Sequence, residues 1–351
     1  MNLMKTIRKS FSARLSLQVV MIASMVFGVV FSVLFFSSKR IVRQEAESHA
    51  GSELSGTVYQ IEDILHQVEA AAKNMEWLVR DRLGNPDSLY AVTRMMMRTN
   101  PHVIGSCVAF EPGFYAEKGE LFAPYSYLTE EGEVKDRNLG YAAYNYHAKE
   151  WYATPKRLDR NYWSEPYFDE GGGDRVMSTY SHVLRNGEGK MFGILTADIS
   201  LDHLSGLVNG IKPYPGSYTL MISRLGNYLV HPKPERILHE TIYTATSDMT
   251  DRSVTILGDA MIRGEEGMHE LQNDDTLSYV FYKPVEGTEW SVAVVCPYRD
   301  VFAPLDRLTL VVVSVFLLGL LALLFFCVWR IRRTSHPLKL FSEAASRVAK
   351  G

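Results

Sequence analysis

Between Trp151 and Arg175 the chain reads WYATPKRLDRNYWSEPYFDEGGGDR, and Asp198 follows at the end of the run GILTADIS. Two chemistries use carboxylates set among so many rings. Paired members of the set Glu165, Asp169 and Asp198 would serve acid and base work. Yet the chain has no GxSxG, no HExxH and no cysteine near a histidine, so nothing supplies a nucleophile or a metal, and neither catalysis nor a cofactor is expected. The other chemistry is recognition. Aromatic faces attract ammonium groups and a desolvated carboxylate pairs with them, which is what a pocket for a small cation or zwitterion requires. EGGGDR lacks both the GK[ST] of a phosphate loop and the GxGxxG spacing, and reads as a hairpin connection. Trp163 and Phe168 suit a sheet core and a pocket wall equally. His231, followed by Pro232, reads as a turn residue at a strand end.

These residues need a scaffold, and the ends of the chain constrain it. Leu15–Phe36 and Leu308–Trp329 each run without a charge, long enough to cross roughly 30 Å of hydrocarbon as a helix. The first lacks a small-x-small cleavage pattern and reads as an anchor rather than a removed signal. Lys5, Arg8, Lys9 and Arg14 precede it, and Arg330, Arg332, Arg333, Lys339, Arg347 and Lys350 follow the second span, which predicts that both termini are cytoplasmic. The whole chain carries −3. With +4 before the first span and +5 after the second, the portion between them carries −12, which disfavours a nucleic-acid partner. Cys107 and Cys296 carry no pairing signature and are expected as buried free thiols.

Beyond the first span, Leu54, Val58, Ile61, Leu65, Val68, Ala72, Met75 and Val79 follow a heptad seam, which predicts one long helix ended by Gly84, Asn85 and Pro86. The seam packs on its own domain, pairs with a second copy, or does both along its length. From Asp87 onward the texture becomes β-rich. IGSCVAF, RVMSTYSHVL, KMFGILTADIS, GSYTLMISR, YLVHP, LSYVFYKPV and WSVAVVCPY read as strands separated by turns. Two blocks each close with a strand running into a helix, an α+β pattern of two modules along one long helix. In the tail, Pro337 suits the first turn of a new helix, with a seam at Leu338, Phe341, Ala345 and Val348.

A long helix bearing two PAS-like modules between two spans, followed by HPL..F..AA..VA.G, resembles the double-Cache extracytoplasmic sensors of bacterial receptors joined to a HAMP relay, of histidine kinase, phosphatase or chemoreceptor type. The order WY, WSEPYFDE, MSTYSHVL, GILTADISLDHL carries the likeness most specifically. The resemblance implies these segments: 1–14 cytoplasmic, 15–37 first span, 38–85 stalk helix, 86–205 membrane-distal module, 206–305 membrane-proximal module, 308–329 second span and 330–351 the start of HAMP. It also implies a homodimer and an output domain beyond Gly351. In the amino-acid-binding branch the matching positions are Tyr144, Trp151, Tyr152, Tyr167, Asp169 and Asp198. By that likeness the two aspartates receive a ligand ammonium, and Lys149, standing where the branch has arginine, receives its carboxylate. Trp163 joins the expected binding residues. A lysine keeps the charge without the planar fork that grips a carboxylate at two points, so a small polar or amine-bearing metabolite is the broader expectation. An interaction module that contacts a periplasmic or membrane protein is the alternative.

Overall fold

The computed structural model describes residues 11–141, 143–244, 252–273 and 276–348. Lys5, Arg8, Lys9 and the side chains of the 338–348 seam lie outside the described residues. The fold is α+β, with two separate antiparallel sheets and long helices at both ends. The chain forms two compact units, one spanning Glu47–Asp300 and the other made of Met1–Ala46 and Val301–Gly351.

Helix α1 runs from Phe11 to Arg82. No proline interrupts this stretch, and the backbone breaks where the Leu83 and Asn85 N–H groups turn back onto the Arg80 and Arg82 carbonyls, as expected for a Gly-Asn-Pro stop. Within the Glu47–Asp300 unit, Leu54, Val58, Ile61, Leu65, Val68, Ala72 and Val79 are all buried. The seam is therefore packed on its own domain from Leu54 to Val79, which removes Val58 as a position for outer pairing. Tyr59 and Trp77 lie on the exposed side of the helix.

The first sheet follows helix α2 (Leu89–Thr99) and is built from β1 (Val103–Phe110), β2 (Pro124–Leu128) and β3 (Val134–Asn138). Helix α3 (Glu150–Leu158) then precedes β4 (Tyr162–Trp163), β5 (Tyr167–Phe168), β6 (Val176–Arg185) and β7 (Met191–Ser200). The strand order is β3-β2-β1-β7-β6-β4, with β5 also on β6. β6 and β7 are buried almost end to end because both sheet faces are covered. One face carries Ser126, bonded to Thr93 of α2 at 2.7 Å, and His182, bonded to Glu76 of α1 at 3.0 Å. The opposite face, one residue out of phase on each strand, carries Cys107, Tyr125, Thr179 and Asp198. Helix α3 covers that face, with Ser181 Oγ donating to the Trp151 carbonyl.

β7 runs into α4 (Leu201–Val208), whose first turn is capped by Ser200 accepting from the Asp202 N–H. The second sheet has the order β10-β11-β12-β8-β9, from β8 (Tyr218–Ile222), β9 (Tyr228–Val230), β10 (Gly267–Asn273), β11 (Thr276–Val285) and β12 (Trp290–Pro297). Helix α5 (Arg252–Ile262) closes its core through Val254, Leu257 and Met261. Arg224, in the β8–β9 turn, reaches back to Glu150 and Glu165 at 3.2 Å each. Glu165 is thus committed to an ion pair and also accepts from Asn227, away from the two aspartates. Cys107 and Cys296 are buried and free, one in each sheet.

Helix α6 runs unbroken from Tyr298 to Val348. Pro337 therefore lies inside a helix rather than in the first turn of a new one, at the loss of one backbone hydrogen bond. Gln18–Arg82 and Tyr298–Cys327 contain windows apolar and long enough to cross a membrane. In their own unit, the Phe27 and Phe316 rings stack 3.5 Å apart.

Leu65 is 1% exposed in the middle of the seam. Leu65→Ala is expected to lower unfolding stability by about 2–5 kcal/mol, read from denaturant titration of the purified chain. Val58→Cys is expected to give no intermolecular disulfide in membranes.

Candidate functional site

The cavity face of the first sheet sets a row of polar side chains by register. Thr179 pairs with Asp198 across β6 and β7, and Gly105 pairs with Asp198 across β1 and β7. Thr179 Oγ1 donates to Asp198 Oδ1 at 2.8 Å and is itself 2.7 Å from the Tyr167 hydroxyl. Asp169 comes from the β5–β6 hairpin, whose register Tyr167↔Met177 and Phe168↔Val176 makes residues 169–175 the connecting loop. The Tyr144 hydroxyl donates to Asp169 Oδ1 at 2.5 Å, and the Gly173 N–H donates to Oδ2 at 2.8 Å.

Cys107, Tyr125, Leu139, Tyr144, Trp151, Tyr167, Asp169, Thr196 and Asp198 enclose a cavity of about 10 Å³. Its walls continue directly into the hydrophobic core formed by Cys107, Tyr125, Leu139, Tyr144 and Trp151. Two carboxylates in such surroundings resist ionisation. Burial and the neighbouring charge of Asp169 push the Asp198 carboxyl up to about 7, against the hydrogen bond from Thr179. Burial also raises Asp169, offset by Tyr144, the Gly173 N–H and the charge of Lys149. Burial together with these aspartates holds the Cys107 thiol well above its ordinary range, which keeps it protonated and unreactive.

The glycines of the loop do more than turn the chain. A Cβ on Gly172 would fall on the Asp169 carboxylate, and one on Gly173 would stand 2.9 Å from the Tyr125 hydroxyl. A Cβ on Gly105 would stand 2.5 Å from both Asp198 Oδ2 and the Tyr125 hydroxyl. Glycine at these three positions clears the space in which the polar groups meet. Arg137 holds the loop through the Gly171 and Gly172 carbonyls, and Tyr141 donates to the Gly171 carbonyl at 2.9 Å.

Five of the expected residues, Tyr144, Trp151, Tyr167, Asp169 and Asp198, are brought together on this cavity. Three are placed elsewhere. Tyr152 follows Trp151 on α3 and so points about 100° away; it is fully buried and donates to Glu111 at 2.9 Å. Trp163 lies on the α1 side of the sheet, where its indole N–H donates to Glu69 at 2.8 Å and its ring meets Trp290 edge-on at 5.6 Å. Lys149 stands at the rim, with Nζ 4.8 Å from the Tyr144 ring centre. His231 closes its own turn by accepting from the Lys233 N–H at 3.0 Å.

Tyr125 was not foreseen. Its hydroxyl is buried and lines the cavity between Asp198 and Gly173. Only the alternation in PYSYL hints at a strand that could aim it inward.

Residues 89–206 match the family model described as "Methyl-accepting chemotaxis protein-like, first PDC sensor domain", a PDC/Cache-like sensor domain. It is 23% identical over 210 residues to the methyl-accepting chemotaxis protein PctB of Pseudomonas aeruginosa, covering 60% of this chain and 32% of that protein. It is 26% identical over 170 residues to PscA of Pseudomonas syringae pv. tomato, covering 47% and 25%. The chain thus spans a third or less of the curated relatives it matches. Among solved structures, the periplasmic sensory domain of the Campylobacter jejuni chemoreceptor Tlp1 superposes with a TM-score of 0.61 at 13% identity, covering 75% of this chain and 99% of that one. The ligand-binding domain of PctB in complex with L-Gln superposes with a TM-score of 0.53 at 18% identity, covering 76% and 98%.

Because Asp198 binds its proton more tightly folded than unfolded, its contribution to stability is complete below about pH 4 and disappears as pH rises through about 7. Asp198→Asn should therefore flatten the pH profile of unfolding stability. The gain over wild type should be greatest near pH 8, on the order of a few kcal/mol, and absent near pH 4, as measured by denaturant titration at both pH values.

Proposed function

We propose that this chain is the sensor region of a two-span receptor of the bacterial cytoplasmic membrane, with both termini cytoplasmic. In this reading the first-sheet cavity binds a small amine-bearing metabolite, an amino acid in the first instance. The occupied state is relayed through the second span to a cytoplasmic output, and two copies act together. The observation that carries the reading is the pair Asp169 and Asp198, buried in one aromatic cavity with no basic side chain among its walls. Such a pair gains most from an ammonium group, which supplies charge and N–H donors at once.

Lys149 at the rim offers the complementary charge for a carboxylate, and its separation from the aspartates by the Tyr144 ring fits the two ends of a zwitterion. Two neighbouring structures, PctB with L-Gln and PctB with L-Arg, support an amino acid as the first class to test. A cavity of about 10 Å³ must widen to take one up. A ligand of this kind drives signalling only to the extent that it binds the widened state better than the other.

Thermal unfolding of the purified full chain against a panel of amino acids and simple amines tests the reading. At least one member is expected to raise Tm in wild type, with the shift lost in both Asp169→Ala and Asp198→Ala. A shift retained in both variants, or none with any compound alongside a tightly bound protein, overturns it. Lys149→Arg restores the two-point grip on a carboxylate and is expected to raise affinity for a bound amino acid about tenfold, roughly one charge-assisted hydrogen bond. Affinity for the decarboxylated amine should stay unchanged.

A further inference from the structure

A second and larger cavity, about 470 Å³, opens on the other side of the first sheet. It falls within the range of small-molecule sites, roughly 300–1,000 Å³. Three parts of the Glu47–Asp300 unit meet there: Glu69 from α1, the Arg160–Trp163 segment and Tyr180 from the first sheet, and Gly287–Glu289 from the β11–β12 turn. It shares no residue with the Asp169–Asp198 cavity.

The charges in this cleft are unevenly satisfied. At the mouth, Glu289 is balanced by Arg160 at 3.9 Å and Arg224 at 3.5 Å, all of them exposed or partly so. Deeper in, Glu69 takes the Trp163 indole N–H on Oε1, and among the described residues no basic side chain stands within 4.0 Å of it. The adjoining walls are aromatic. Trp163 and Tyr180 are buried with ring centres 5.2 Å apart, and Trp163 is braced by Trp290. Glu69 and Tyr180 both line the cleft, and burial together with the charge of Glu69 pushes the Tyr180 phenol up to about 12. An anion is repelled by Glu69, whereas a neutral solute leaves its charge uncompensated.

We propose that this cleft is a second binding site, for a small organic cation carrying N–H donors, a primary amine or guanidinium, whose head group pairs with Glu69 against the Trp163 and Tyr180 rings. A cation seated there touches α1, the first sheet and the second-sheet turn at once. It therefore favours the arrangement in which those three parts lie together. The site stands independently of the reading of the first cavity.

Calorimetric titration of the full chain in lipid nanodiscs with butylamine and with agmatine decides it, with butyrate as the opposite-charge control and tetramethylammonium as a cation without N–H donors. Both amines are expected to bind, and both controls to give no saturable heat. Glu69→Gln retains a carbonyl for the Trp163 N–H while removing the charge, and should weaken amine binding about tenfold or more. Arg160→Ala alters only an exposed side chain, removes a competing positive charge, and should tighten binding about threefold; it decides the matter if Glu69→Gln does not fold. Absence of heat with either amine, unchanged affinity in both variants, or equal binding of tetramethylammonium overturns the proposal. Loss of amine binding in Asp198→Asn also overturns it, by assigning the amine to the first cavity.

Discussion

Two carboxylates that would rather be in water are held together in a chamber of aromatic side chains, and much of the first sheet is arranged around that fact. Asp198 is fixed by the pairing of β7 with β1 and β6. Asp169 is fixed by a hairpin loop that folds over the sheet and is tied down by Arg137 and Tyr141. Asp198 receives a hydroxyl from Thr179, and Asp169 receives a hydroxyl from Tyr144 and the Gly173 N–H. That falls short of the full set of donors which water supplies, and the shortfall leaves Asp198 readily protonated near neutral pH. The cavity is thus electrostatically unfinished.

The two sheets are not merely strung along α1. Arg224 reaches from the second sheet to Glu150, the residue next to Lys149 and Trp151, and to Glu165 in the strand-linking segment before Tyr167. The cation also lies 4.9 Å over the Tyr162 ring. These contacts are part-buried, so they are screened less than surface pairs. They attach the second sheet to the same two segments that carry the walls of the first-sheet cavity.

Much of this scaffold was legible in the sequence because its signals are local. The apolar β-branched runs became β1, β6, β7, β8, β9, β11 and β12, and the heptad seam became the buried face of α1. What escaped were elements whose identity depends on neighbours. β3 is charged and exposed, with the sequence VKDRN, and is a strand only because β2 pairs with it. α3 contains Pro155 and gave no periodic signal. The site was legible through a likeness in the order of motifs, not through spacing, since Asp169 and Asp198 are brought together by strand pairing. Tyr152 points away from its neighbour Trp151 along α3, and Trp163 sits opposite Tyr180 on the α1 face of the sheet, so neither reaches the cavity. Tyr125 was missed because it comes from an unrecognised strand. Gly172 and Gly173 were read as turn formers and Gly105 as a strand residue, whereas what singles out all three is the polar atom each one makes room for.

The small size of the first-sheet cavity bears on how sensitive such a sensor can be. With space for about one water, the walls must part before any metabolite is enclosed, and the free energy of parting is subtracted from the affinity of the fully formed contacts. How readily the walls part is then set partly by residues outside the cavity. Arg137 and Tyr141, which clamp the 169–175 loop from outside, are such residues. Substituting either would change the ease of opening while leaving every wall of the cavity in place.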